Sequence, residues 1–227
     1  MKVIGILSQK GGVGKTTLAM NLAVAAAYGG EPSIVFDMDP QQSATVFHRL
    51  RVNNGHDDQP MVKASSYQTL VEGLRAAAAD GYKVAIIDTP PNAVSKDVEV
   101  AAGAEVVLVP VTPSFFDIAA IEATIAIASK HTSGNGFAVL NMAKHYGDHV
   151  EVAKEAITSN FDFPVAPMTI GDRMAFKNAA RNGQGVLESE PSSKAAEEIL
   201  ALWSFVNKAI ATKRKADTAN RKEAVNG

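Results

Sequence analysis

The chain has 227 residues, 46% of them hydrophobic and 20% charged, with a formal net charge of −2. That length can bury one substantial core, and the composition is that of an ordinary globular protein rather than a polycation. There is no cysteine, which excludes disulfides, thiolate catalysis, zinc–thiolate sites and cysteine-ligated iron–sulfur clusters, and suits a reducing cytoplasm. No apolar run reaches the length of a membrane span, and the N-terminal MKVIGILSQKGG is too short in its apolar part for a signal peptide.

Short apolar runs alternate with helical stretches. Val3–Leu7, Ser33–Phe36, Val84–Ile87, Val106–Val109 and Phe137–Leu140 read as strands without polar alternation, as expected when both faces of a parallel sheet are covered. Helices are predicted over about 15–29, 42–51, 67–79, 97–103, 117–130 and 148–159, with Asn53–Gln59 a polar surface loop. A further strand is expected near Pro164–Met168, then a helix around Asp172–Arg181 and a long one over Ser193–Thr212. In the last, Ile199, Leu202, Trp203, Val206 and Ile210 recur at helical spacing and predict the docking face. The alternation predicts an α/β fold, a doubly wound, mostly parallel sheet flanked by helices. We expect one domain over 1–212 and a basic, flexible tail over 213–227. Between Lys208 and Glu223 the charge is +4, leaving −6 elsewhere. That tail reads either as a solvated, frayed end or as a basic appendage near a polyanion.

The segment with the most chemistry is Gln9-Lys10-Gly11-Gly12-Val13-Gly14-Lys15-Thr16-Thr17. It follows a strand and opens a helix, the context of a phosphate-binding loop. Glycines let successive N–H groups turn inward onto phosphate oxygens, and the helix N-terminus adds partial positive charge. Lys15 is placed to reach the β- and γ-phosphates of ATP, Thr16 to ligate Mg²⁺, and Thr17 to meet the α-phosphate. Gln9 stands where such loops usually begin with glycine, and Lys10 is a second lysine the loop does not require. Val84-Ala85-Ile86-Ile87-Asp88 is a Walker B-type strand, with Asp88 holding Mg²⁺ through water.

KGGVGKTT resembles the deviant Walker A motif of the ParA/MinD family of ATPases. The resemblance runs over roughly Met1 to Ala211 and includes Asp37-Met38-Asp39-Pro40-Gln41, Thr89-Pro90-Pro91, Val109-Pro110-Val111-Thr112-Pro113, Ile170–Lys177 and Pro191–Ala196. It implies that Lys10 reaches across an ATP-sandwiched homodimer to the partner's phosphates; a solvated lysine is the alternative. It also implies that Asp39 orients or activates the attacking water and that Asp37 sits near the metal. Asp39 before Pro40 can equally be a helix cap. Asn141 ends a strand where its amide can read the adenine edge, and Pro167 and Met168 can form a shelf for the base; ordinary loop or core roles are the alternative for each.

The short ParA type, without an N-terminal helix-turn-helix, implies slow, partner-stimulated ATP hydrolysis coupled to non-specific DNA binding, and no operator-specific repression. The partner would be a centromere-binding protein or a cargo adaptor, the cargo plasmid DNA or another assembly, and the location the cytoplasm, nucleoid-associated with ATP. Candidate DNA contacts are Lys144, Arg173, Lys177, Arg181, Lys213, Arg214 and Lys215. Arg173, Lys177 and Arg181 share one helix face, which a merely solvated helix would also show. The alternative job is a MinD-like, membrane-associated positioning ATPase. Between Ile210 and Val225 there is no bulky apolar residue to insert into a bilayer, which argues against a membrane partner.

Overall fold

The computed structural model describes residues 1–91, 94–132, 134–144 and 148–226, with side chains described throughout except at 94–96 and 221–226. In chain order the elements are β1 (Lys2–Ile6), α1 (Lys15–Tyr28), β2 (Ser33–Asp37), α2 (Ser43–Asn53), β3 (Met61–Ala64), α3 (Tyr67–Ala79), β4 (Val84–Asp88), α4 (Val94–Gly103), β5 (Val106–Val111), α5 (Phe115–Ala119), α6 (Glu122–His131), β6 (Gly136–Leu140), α7 (His149–Phe161), α8 (Met174–Arg181), α9 (Val186–Ser189) and α10 (Lys194–Asn226). The strands form one parallel sheet in the order β3-β2-β4-β1-β5-β6. The order reverses beside β1, so the loop after β1 opens at the switch point where α/β sheets bind ligands.

Successive strand residues face opposite sides. Ile4, Ile6, Val84 and Ile86 enter a core with α1, α8 and α10. Leu7, Ala85, Ile87 and Val107 enter a second core with α3, α4, α6 and α7. Both faces are dry, which is why the strands read as unbroken apolar runs. The alanine-rich α1 is almost wholly buried between sheet and α10. Its sequence NLAVAAAY combines high helix propensity with side chains small enough for close approach.

Several elements differ from expectation for identifiable reasons. β3 is a short edge strand, paired only with β2 and carrying an exposed Lys63, so it lacks the double burial that marks the others. The helix expected over 117–130 is two helices broken at Ala120–Ile121. The break lets α5 turn Asp117 toward Thr112, whose hydroxyl donates to it, while Ile121 and Ile125 stay in the core. Around Pro164–Met168 there is a single bridge, Ala138 to Val165, because Pro164 and Pro167 carry no N–H to extend a ladder.

The face predicted for the last helix, Ile199, Leu202, Trp203, Val206 and Ile210, is buried. Where a flexible tail is expected from 213, α10 continues to Asn226, since that segment holds good helix formers and neither glycine nor proline. Lys213 Nζ donates to the carbonyls of Ala104 and Thr132, and Arg214 forms a fork with Glu105. The side chains of Arg221, Lys222 and Glu223, counted in the basic stretch, lie outside the described residues.

Arg51 on α2 ties two distant segments together. Its buried guanidinium makes bonds of 2.9 and 2.6 Å to Glu188 and donates to the carbonyls of Asp57 and Gly183. Removing one partner of such a pair leaves a buried charge uncompensated. We expect Arg51→Ala to lower unfolding stability by about 3 kcal/mol, measured by urea denaturation; a loss below roughly 0.5 kcal/mol would mean the clamp carries no net stability.

Candidate functional site

The phosphate loop runs from the end of β1 into α1. Gly12 and Gly14 have φ of 80° and 85°, a region that side chains disfavour. Gly14 is also fixed by contact, because a Cβ there would strike the Asn141 amide. Lys15 is buried and donates to the carbonyl of Lys10 across the loop at 3.2 Å. Desolvation lowers its pKa, while Asp88, Asp39 and Asp97 act to raise it.

Asp37 and Asp88 are register partners at the ends of β2 and β4. Asp88 is fully buried; Oδ2 accepts from the Thr16 hydroxyl at 2.7 Å, and Oδ1 has no hydrogen-bond partner. Burial is the main reason its carboxyl is raised to about 7, with Asp37 and Asp39 adding to the rise. A buried carboxyl with one unsatisfied oxygen, beside a threonine hydroxyl, fits a hard divalent cation that would neutralise the charge burial disfavours.

Asp37 lies beside Asp88, and its own oxygens are engaged within the chain. Oδ2 accepts from the backbone and hydroxyl of Thr45, both at 2.9 Å, and Oδ1 accepts from the N–H of Asp39. It anchors the loop between β2 and α2 and acts on Asp88 through charge. Asp39 lines the cavity over the phosphate loop, with Oδ1 accepting from the N–H of Gln41. The N-cap of α2 is Gln42, so Asp39 does not cap that helix. The cavity, about 600 Å³, is walled by Lys15, Thr16, Thr17, Asp39, Phe47 and Met142.

A second cavity of about 170 Å³ adjoins Gly14 and Thr17 and is lined by Asn141, Met142, Ile170, Gly171 and Phe176. Asn141 belongs to its wall, but its amide nitrogen donates to the Val13 carbonyl at 2.7 Å and braces the phosphate loop. Pro167 and Met168 stand outside that wall, and Met168 packs against the core. Ile170–Arg173 line this cavity, brought in when Gly171 bridges Ala143.

Lys10 forms an ion pair with Asp117 on α5. The sequence reading passed over Asp117; its signal is an acid shortly after a strand that ends at the ligand edge. It also passed over Asp97, buried on α4 with its carboxyl raised to about 6, chiefly by burial. Tyr67 Oη lies 3.5 Å from Asp97 Oδ1.

The predicted basic residues divide into two groups. Lys144, Lys177 and Arg181 are exposed near the nucleotide edge, with Lys177 in a loose ion pair to Asp172 at 3.7 Å. Arg173 is half-buried and makes a fork with Glu198, with bonds of 3.1 and 2.6 Å. Lys213 and Arg214 lie at the opposite edge, where Arg214 reaches the Met1 carbonyl at the start of β1. Lys215 is exposed beside them.

The buried Asp88 yields a prediction for magnesium-free buffer. Its folded pKa of about 7 exceeds the ordinary 3.8, so the folded state binds the proton more tightly and stability falls as pH rises between those values. Asp88→Asn removes that fall and should gain on the order of 4 kcal/mol at about pH 8, dropping to less than half of that at about pH 5. Denaturation curves at both pH values check this; an equal effect at both would mean the carboxyl titrates normally.

Residues 4–64 match the family model for the CobQ/CobB/MinD/ParA nucleotide binding domain. The chain is 35% identical over 126 residues to Maintenance of carboxysome distribution protein A of Gloeobacter kilaueensis, covering 55% of each chain. It is 30% identical over 156 residues to Chromosome-partitioning ATPase Soj of Thermus thermophilus, covering 58% of this chain and 63% of that one. The matched segments thus span about 55–63% of these two curated relatives. In fold it is similar to the septum site-determining protein MinD complexed with Mg-ADP from Pyrococcus horikoshii, with a TM-score of 0.69 and 18% identity, covering 93% of this chain and 98% of that one. With the KGGVGKTT loop at the switch point of a six-stranded parallel sheet, these likenesses give residues 4–64 as a match to the CobQ/CobB/MinD/ParA nucleotide binding domain and show the chain as a whole to be similar to ParA- and MinD-type proteins.

Proposed function

We propose that this chain is an ATP-driven, dimerising switch that hydrolyses ATP slowly, binds DNA without sequence preference and moves plasmid DNA or another cargo with a partner protein. The observation that carries this reading is Lys10. It is a cation additional to Lys15, presented at the rim of the phosphate loop and 41% exposed in its side chain. A phosphate loop needs one lysine; a second, held ready by Asp117, suits a contact made to phosphates bound in a second copy.

Hydrolysis transfers the γ-phosphoryl group of ATP to water, breaking its bond to the bridging oxygen and releasing ADP and phosphate. Lys15 and the loop N–H groups neutralise the phosphate oxygens. Thr16 would ligate magnesium and Asp88 would hold it through water; the ion, when bound, screens the phosphate charge. Asp39 accepts a hydrogen bond from the attacking water and orients it. Asp37 keeps the Asp39 loop in place. The base would lie near Asn141, in the smaller cavity that Met142 and Ile170–Arg173 line.

For DNA, the exposed Lys144, Lys177 and Arg181 make one basic face near the nucleotide edge, which pairing of two copies would double. Phosphate neutralisation is additive, so doubling strengthens binding steeply. Lys213–Lys215 would form a separate patch. The reading implies cytoplasmic location, on the nucleoid with ATP, and a DNA-bound or cargo-bound partner that stimulates hydrolysis. The membrane-associated alternative gains little support from α10: among the described residues no helix is long and apolar enough to cross a membrane, and positions 211–220 present no bulky apolar side chain.

Three variants test the site. Lys15→Ala should abolish nucleotide binding or turnover, and normal turnover would sink the phosphate-loop assignment. Asp39→Ala should hydrolyse ATP at least about tenfold more slowly and accumulate as an ATP-bound dimer; wild-type turnover would leave Asp39 as a loop residue only. For the function, binding to non-specific duplex DNA is measured with ATP, with ADP and without nucleotide, beside anionic vesicles. DNA binding that needs ATP and is lost in Lys10→Ala is the expected result. Vesicle binding in its place would favour the membrane-associated reading.

A further inference from the structure

Two large apolar side chains stand out on the surface. Phe115 is 80% exposed and Phe116 78% exposed. Their rings touch edge to face, with centroids 5.7 Å apart. The next residue, Asp117, is buried and holds Lys10. The aromatic pair is thus fixed to the rim of the phosphate loop by one turn of helix and one ion pair. Beside Phe115 lies a cavity of about 540 Å³ between α5 and α7, walled by Pro113, Ile118, Val152, Ala153 and Phe161.

Scattered exposed hydrophobics are ordinary, but two adjacent phenylalanines next to an apolar hollow mark a contact surface. An interface with two-fold symmetry uses the same patch on both copies, so the patch must carry both a projection and a receptor for it. This surface carries both. Each ring brings roughly 150–250 Å² of apolar area, so four rings from two copies supply several hundred Å², a sizeable part of a standard interface of about 1,600 Å². Continuity with Lys10 identifies the occupant, because the residue proposed to meet a second copy is gripped by the helix that carries the rings.

We propose that Phe115 and Phe116 are the apolar anchor through which one copy of this chain seats on a second, each pair packing into the α5–α7 hollow of the other. This rests on the self-association reading above. It adds the residues that supply most of the affinity, as aromatic anchors do in a well-packed interface. It also joins that affinity to the phosphate site, since displacement of α5 by the second copy moves Asp117 and with it the hold on Lys10.

The test is sedimentation velocity with a slowly hydrolysed ATP analogue and Mg²⁺. Phe115→Ser/Phe116→Ser should weaken dimerisation about a hundredfold and leave nucleotide binding by the monomer unchanged, because neither ring supports the core. Phe116→Leu should recover part of the affinity. The cysteine-free chain allows a second measurement. An Ala119→Cys variant, exposed on α5 with both rings kept, should cross-link into a covalent dimer with a short bismaleimide only when dimerised, while Thr218→Cys, at the far edge, should not. A double variant that dimerises like the parent overturns the anchor and leaves the self-association reading standing. So does an unchanged dimer accompanied by lost vesicle binding or lost partner stimulation, which would assign the rings to that other surface. A parent that stays monomeric in every nucleotide state overturns both.

Discussion

Charge buried at the C-terminal edge of the parallel sheet is the constraint on which the rest of the site depends. Asp88 has no solvent contact and one unpaired oxygen, and Lys15 is desolvated nearby. In isolation each is unfavourable, because burial disfavours the charged form of both. Together they form a site that a phosphate and a divalent cation complete. The surroundings hold it open: Asp37 bonds to Thr45 and to the Asp39 backbone, and Asn141 holds Val13. These groups keep the loops from collapsing onto the charges, so the geometry is ready before a ligand arrives.

The same edge links the site to the molecule's surface. Lys10 is held by Asp117, Asp117 also accepts from Thr112, and α5 displays Phe115 and Phe116 to solvent. A contact on the rings and a phosphate near Lys10 therefore act on one short helix. On the other flank, Arg173 is held by Glu198 of α10 and lines the smaller cavity. That cavity adjoins α8, which carries Lys177 and Arg181. Two surfaces thus meet at one site, as the proposed two-readout switch requires.

The strands, the phosphate loop and the docking face of α10 were legible because each follows from local pattern. Val84–Asp88 is apolar throughout since both its faces are covered, and Gly12 and Gly14 sit where only glycine turns comfortably. β3 was missed because a half-exposed edge strand with Lys63 lacks that pattern. The split between α5 and α6 was missed because Phe115 to His131 is helix-compatible throughout; the break comes from the tertiary pull on Asp117. The flexible tail was expected from its charge, yet a run of helix formers anchored by Lys213 and Arg214 continues the helix.

By itself the sequence determined the α/β alternation and the chemistry of its motifs: a lysine and threonine at a glycine loop, and carboxylates at strand ends. These depend on spacing along the chain and on backbone geometry, which a sequence carries directly. The tertiary structure decided which carboxylate does what. Asp37 and Asp88 are equivalent in pattern, but one is satisfied by Thr45 and the other is left with an open oxygen. It likewise decided that Asn141 braces a loop, that Ile170–Arg173 rather than Pro167–Met168 walls the smaller cavity, that the basic residues fall on two edges, and that Lys10 meets Asp117. Each of these joins residues far apart in the chain, and such pairings are settled by how the sheet and its loops pack.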